Sequence, residues 1–285
     1  MSDILLSFGH GYSARAIADL VIPHGWHVIG TTRNPDNIDA ILDQGASPVQ
    51  WPGADLTSIL DVATHLLISA APGPDGDPVL NDLREEIAAR RDRFEWVGYL
   101  STTGVYGDHQ GSWVDENTPL TPSTKRGEMR VKAEADWAAL DLPLHIFRLA
   151  GIYGPGRGPF AKVRNGTARC IVKPDQVFSR IHVDDIAQTV AASMLNPNPG
   201  AIYNLCDDDP APPQDVIAYA AELLGQTPPP SEDFATADMT PMARSFYAEN
   251  KKVRNTRIKE ELGIELRYPD YKSGLTALLN AENDA

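Results

Sequence analysis

Residues Gly9-His10-Gly11-Tyr12-Ser13-Ala14 fit the spacing G-x-G-x-x-G/A. A strand-like run, Ile4-Leu5-Leu6-Ser7-Phe8, precedes them, and a helical pattern from Ala14 to His24 follows. In that setting the spacing has a mechanism. Gly9 permits a tight turn, Gly11 lets a pyrophosphate approach the backbone, and Ala14 leaves room for helix–strand packing. The helix start adds free N–H groups and the positive end of a dipole. The chemistry expected is dinucleotide binding; the plainer alternative is a glycine-rich turn between a strand and a helix.

The next strand bears on which dinucleotide. A carboxylate about 20 residues on would hold a ribose 2′-hydroxyl. Here the strand ends Thr31-Thr32-Arg33-Asn34, with no carboxylate before Asp36. Arg33 stands where a guanidinium could pair with a 2′-phosphate. NADP is therefore favoured, with NAD as the alternative and a solvated Arg33 as the plainer reading. The candidate cofactor contacts are Gly9, Gly11, Tyr12, Ser13, Ala14 and Arg33, with Asp55 and Ala70 further along. His182, Asp184 and Asp185 lack a third ligand of matching geometry, so no metal site is expected. Asp184 or Asp185 reads instead as a helix N-cap. Ser101 and Ser179 lack the elbow of a hydrolytic nucleophile.

Elements must hold these residues in place. Strand-like runs lie at His27–Thr31, Pro48–Trp51, His65–Ala70, Trp96–Ser101 and Leu144–Leu149. Helical patterns lie between them, at 37–44, 81–94 and 126–140. The alternation predicts an α/β fold with a doubly wound parallel sheet and its ligands at the strand C-termini. Residues 1–155 form the expected dinucleotide-binding domain, and 178–206 return to it. Residues 156–177 and 207–285, rich in turn signals such as Pro228-Pro229-Pro230, form a smaller, mostly helical substrate side.

Composition narrows the partners. The 285 residues carry a net charge of −14, which repels phosphate backbones, so nucleic acid is not expected. No apolar run approaches the roughly 18 residues of a membrane span. The N-terminus lacks a signal-peptide pattern, and two cysteines make no disulfide framework. A cytoplasmic protein with a small-molecule substrate is expected; a homo-oligomer is left open.

Four blocks then carry a resemblance. They are Gly9–Ala14, Tyr99–Gly107 (YLSTTGVYG), Arg148–Gly156 (RLAGIYGPG) and Arg180–Ala187 (RIHVDDIA). Together they resemble the extended, or atypical, short-chain dehydrogenase/reductase superfamily, and within it the NAD(P)-dependent epimerase/dehydratase-like branch. The resemblance implies that Thr102 hydrogen-bonds the substrate oxygen at the carbon that exchanges a hydride. A dehydratase's acid pair is missing, since Thr103 and Gly104 occupy its positions. The family's Tyr-x-x-x-Lys becomes Arg126-x-x-x-Arg130, with Glu134 at a position where the family usually has Glu.

Arginine stays protonated and shuttles protons poorly. At i,i+4 the two arginines share a helix face. They could hold cofactor or substrate oxygens in a cleft. Alternatively they are solvated, with Arg130 paired to Glu134. Met129, Ala133 and Trp137 form an opposing stripe expected in the core. Two functions follow: an NADP-binding oxidoreductase or epimerase-like enzyme acting on a small polar substrate, with Thr102, Arg126 and Arg130 at its centre, or a non-catalytic dinucleotide-binding redox sensor.

Overall fold

The structure is a computed structural model describing residues 3–284, the Met242 side chain excepted. Seven strands build its main sheet: β1 (Ile4–Phe8), β2 (His27–Thr32), β3 (Ser47–Gln50), β4 (His65–Ile68), β5 (Trp96–Thr102), β6 (Leu144–Leu149) and β7 (Ile202–Leu205). All pairings are parallel, in the order β7-β6-β5-β4-β1-β2-β3. Strand order reverses between β1 and β4, and in such sheets the crevice beyond that point takes the ligand.

The strands are apolar on both faces because helices cover both. Leu5, Leu67, Trp96, Leu100 and Phe147 pack toward one side. There they meet Ile17 and Ala18 of helix Tyr12–Val21 and Ile186 and Val190 of helix Val183–Leu195. Their neighbours Leu6, Phe8, Leu66, Ile68, Val97 and Tyr99 pack toward the other side. That side is closed by helices Pro78–Ala88 and Lys125–Ala138, through Val79, Ile87, Ala133 and Trp137. Each buried Val, Leu, Ile or Phe among them contributes roughly 1.5–3 kcal/mol.

A third cluster joins Tyr153, Phe160, Val216, Ala220, Tyr271 and Leu275 from later parts of the chain. Two short parallel pairs accompany the main sheet, and the second ties the later chain to the first half. Gly151–Tyr153 pairs with Arg180–His182, and Trp113–Val114 with Lys252–Val253. Among the described residues no helix is long and apolar enough to cross a membrane.

Several boundaries differ from the sequence reading. Strand β4 stops at Ile68, not Ala70. The helix expected from Asn81 begins at Pro78, because Asp77 caps it by accepting from the Val79 and Leu80 N–H groups. The cap of helix Val183–Leu195 is neither Asp184 nor Asp185 but His182, whose Nδ1 accepts the Asp184 N–H at 3.1 Å. The Asp185 carboxylate is drawn away to accept the Arg267 and Tyr268 N–H groups.

Candidate functional site

A cleft of about 1260 Å³ lies at the C-terminal rim of the sheet. Gly9, Gly11, Tyr12 and Ser13 line one bank, and Thr102, Lys125, Arg126, Met129 and Arg130 line the other. The later part of the chain adds Tyr153, Arg157, Arg180, Phe246, Glu249 and Lys251.

The glycine bank is built from backbone. Gly9 adopts φ +74°, and a Cβ there would come within 2.9 Å of the Ala70 nitrogen. Only glycine lets the loop after β1 press against the chain leaving β4. The Gly9 N–H donates to Thr31 Oγ1 and the His10 N–H to the Thr31 carbonyl, which ties the loop to β2. Gly11 begins helix Tyr12–Val21 with φ −102° and no side-chain cap. The first N–H groups of that helix therefore keep their donor capacity. A Cβ on Gly11 would meet only the Gly9 carbonyl, at 3.7 Å. The loop thus fits a dinucleotide pyrophosphate: open space in front, uncapped donors and the positive end of a helix dipole behind. Ala14 faces inward and packs in the core. Tyr12 donates its hydroxyl to the Pro155 carbonyl at 3.0 Å, and the Arg157 guanidinium lies over its ring.

The opposite bank is built from side chains. Thr102 ends β5, and its Oγ1 accepts the Gly104 N–H at 3.2 Å, capping the turn Thr103–Tyr106. That bond leaves the hydroxyl proton free to be donated. The start of helix Lys125–Ala138 packs on this turn: a Cβ on Gly127 would sit 2.8 Å from the Gly104 carbonyl oxygen. Thr124 caps the helix by accepting from the Gly127 N–H.

The two arginines, one helical turn apart, differ. Arg130 is half-buried, donating from Nη1 to the Tyr99 hydroxyl at 3.0 Å and the Leu100 carbonyl at 2.8 Å. Burial pushes the Tyr99 phenol upward in pKa, against the pull of Arg130. Arg126 and Lys125 are exposed into the cleft and have no partner among the described residues. The expected alternative pairing of Arg130 with Glu134 does not form. Glu134 is buried and pairs with Arg148 of β6, at 2.8 Å between Nη2 and Oε2. Ser101 donates to the same carboxylate, and Arg148 reaches the Tyr106 hydroxyl at 3.0 Å. Tyr106 in turn donates to Asn204 Oδ1 at 2.7 Å. This buried chain of polar groups fixes the ends of β5, β6 and β7 beneath the cleft. Met129 also departs from expectation: Ala133 and Trp137 are in the core, but Met129 is half-buried and lines the cleft.

Glu249 accepts from Ser123 Oγ and Lys251 Nζ, both at 2.6 Å, and Lys251 also donates to the Gly107 carbonyl. These contacts clasp a C-terminal segment to the cation-bearing bank. Arg180 donates to the Phe178 and Ala211 carbonyls. Nearby Asp207 is almost fully buried. Burial pushes its pKa up to about 8, against the opposing field of Arg180.

Of the residues singled out in the sequence, Gly9, Gly11, Tyr12, Ser13, Thr102, Arg126 and Arg130 share this cleft. Ala70 lies against Gly9. Arg33 follows directly on β2 and is exposed, outside the cleft lining. Asp55 is also outside it; its Oδ1 accepts the Thr57 N–H and hydroxyl, which hold its pKa below the usual value. Arg157 and Lys251 were not expected at the site, because no local periodicity marks them, and Lys125 joins it as the helical neighbour of Arg126. No cluster of three or more potential metal-ligating side chains occurs among the described residues.

No profile of a known protein family matches the chain. A conserved Silicibacter pomeroyi protein of unknown function has a solved structure that is 62% identical, covers 100% of both chains and superposes with a TM-score of 0.95. Protein YeeZ of Escherichia coli (strain K12) is 29% identical over 280 residues, which is 92% of this chain and 95% of YeeZ. A Methylobacillus flagellatus protein named for the NAD-dependent epimerases/dehydratases is 28% identical, with 99% of each chain covered and a TM-score of 0.73. Sheet order, glycine loop and rim blocks agree with these likenesses, and the chain is similar throughout its length to the NAD(P)-dependent epimerase/dehydratase-like branch of the extended short-chain dehydrogenases/reductases.

Proposed function

We propose that this protein is an NADP-dependent oxidoreductase or epimerase-like enzyme acting on a small polar substrate. One observation carries the reading: the uncapped glycine loop and Thr102 line opposite banks of a single cleft. When bound, the cofactor supplies or accepts a hydride at its nicotinamide ring. The loop N–H groups hold the pyrophosphate, and Arg33 pairs with the 2′-phosphate. Arg130, anchored on Tyr99 and Leu100, keeps a fixed positive charge beside the cleft. Thr102 donates its hydroxyl to the substrate oxygen. Reduction of a carbonyl held there needs one hydride and one proton. With arginine where the family has tyrosine, the proton comes from cleft water. Residues 156–177 and 207–285 supply the substrate side.

Calorimetric titration with NADPH and NADH tests the reading. NADPH binding more tightly supports it; binding of neither sinks it. A second reading, a dinucleotide-binding redox sensor, is favoured by the lack of a proton-shuttling phenol at position 126. Oxidation of bound NADPH by any member of a panel of small carbonyl compounds decides for the enzyme.

A further inference from the structure

The cleft is charged against the rest of the molecule. Six cations line it: Lys125, Arg126, Arg130, Arg157, Arg180 and Lys251. The one carboxylate in its lining, Glu249, is already held by Lys251 and Ser123. The whole chain, in contrast, carries −14. Four of the six cations have work to do within the protein. Arg130 and Arg180 donate to backbone carbonyls, Lys251 closes the C-terminal clasp and Arg157 covers Tyr12. Lys125 and Arg126 have no such partner among the described residues.

Their position is also unfavourable for the free protein. They are the first two residues of a 14-residue helix, where the dipole disfavours cations. They are adjacent like charges as well. A sequence that breaks a local rule at a cleft, with no compensating contact, points to a ligand that repays it. The glycine loop supplies the pyrophosphate site from the other bank, so the pair is not needed for that part of the cofactor. The turn that begins at Thr102 packs on the start of the same helix at Gly127. A molecule whose oxygen meets Thr102 therefore lies beside Lys125 and Arg126.

We propose that Lys125 and Arg126 form an anion subsite next to Thr102, so that the substrate is a carbonyl or hydroxyl compound bearing a carboxylate or a phosphate. This rests on the oxidoreductase reading above and names its substrate class. The pair binds and orients; Thr102 holds the reacting oxygen.

The test titrates oxalate and inorganic phosphate into the full-length protein, free and saturated with NADP+, and compares wild type with Lys125→Ala/Arg126→Ala. Both residues are exposed, so the variant folds, and Lys125→Arg/Arg126→Lys keeps the charge as a control. Oxalate or phosphate should bind the wild type and the charge-keeping control, and bind the alanine variant at least about tenfold more weakly. The NADP+ affinity should stay within about twofold. Equal anion binding to wild type and alanine variant overturns the proposal, as does absence of anion binding to the wild type. A loss of NADP+ affinity matching the loss of anion affinity overturns it too, because the pair then serves the cofactor. If NADP+ does not bind the wild type at all, the oxidoreductase reading falls, while anion binding to the free protein still tests the subsite. Paired substrates then separate the two anions. Turnover of pyruvate but not acetone marks a carboxylate, and turnover of dihydroxyacetone phosphate but not dihydroxyacetone marks a phosphate.

Discussion

The two banks of the cleft are made of different materials. The Gly9–Ser13 bank offers backbone N–H groups, held by bonds to Thr31 and by the close approach to Ala70. The bank of Thr102, Lys125, Arg126 and Arg130 offers side chains on an exposed helix start and a capped turn. A backbone site is fixed by φ, ψ and the lack of a Cβ, so it tolerates few residue types and binds what every dinucleotide shares. A side-chain site is free to change charge and reach without disturbing the sheet below. The difference shows why arginine can stand where the family has tyrosine and lysine while the fold stays intact. It also predicts that the banks fail separately.

The largest expected effect lies beneath the side-chain bank. Glu134→Ala leaves Arg148 buried and uncompensated and removes the acceptor of Ser101. Breaking one side of a buried pair costs about 3–5 kcal/mol. Urea unfolding should show a loss of that order. A loss below ~1 kcal/mol would mean the pair does not brace the bank.

Next comes a pH effect at Asp207. Asp207 has its pKa raised from 3.8 to about 8, so between those values the folded chain holds a proton that the unfolded chain releases. Stability is then greatest below the ordinary carboxyl range and falls as pH rises toward about 8, by on the order of a few kcal/mol. Asp207→Asn should flatten that fall. The melting temperature measured across this window, in wild type and variant, checks it; identical slopes would place Asp207 ionised at neutral pH.

The backbone bank breaks differently. Gly11→Val keeps a negative φ and its Cβ meets no neighbour closer than the Gly9 carbonyl at 3.7 Å, so the chain should fold with little change in melting temperature. The branched side chain fills the phosphate space, and NADP+ affinity should drop by roughly a hundredfold or more, about 2.7 kcal/mol or more. Retained affinity in a folded variant would reduce the loop to a turn.

Much of this was legible in the residues themselves. The glycine spacing read correctly as a tight loop between strand and helix because Gly9 meets a steric demand that its own chain imposes. The sheet was legible because strands covered on both faces are apolar throughout. What was not legible depends on distant chain. The cap of helix Val183–Leu195 passed to His182 because Asp185 is claimed by the Arg267 and Tyr268 N–H groups, about eighty residues on. The partner of Glu134 could not be read from the i,i+4 spacing to Arg130, because Arg148 arrives on an adjacent strand. Arg157 and Lys251 enter the cleft from loops with no period to betray them.

The smallest expected effect concerns Arg33, and it sharpens the contrast by testing a side chain at the rim of the backbone bank. Arg33 follows β2 directly, beside the loop that Thr31 anchors, but it is exposed and outside the cleft lining. A guanidinium–phosphate contact in that position is open to solvent and ions. Its contribution should fall at or below the low end of the charged hydrogen-bond range, about 1.4 kcal/mol, or roughly tenfold in affinity. Arg33→Ala should therefore reduce the NADPH-over-NADH preference by about tenfold and leave NADH affinity unchanged. Raising the salt to ~1 M, where the screening length shrinks to about 3 Å, should erode the wild-type preference in the same direction. Calorimetry with both cofactors at low and high salt measures this directly. A preference untouched by the substitution would remove Arg33 from the site, and a loss of NADH affinity along with that of NADPH would show that Arg33 supports the loop and does not read the 2′-phosphate.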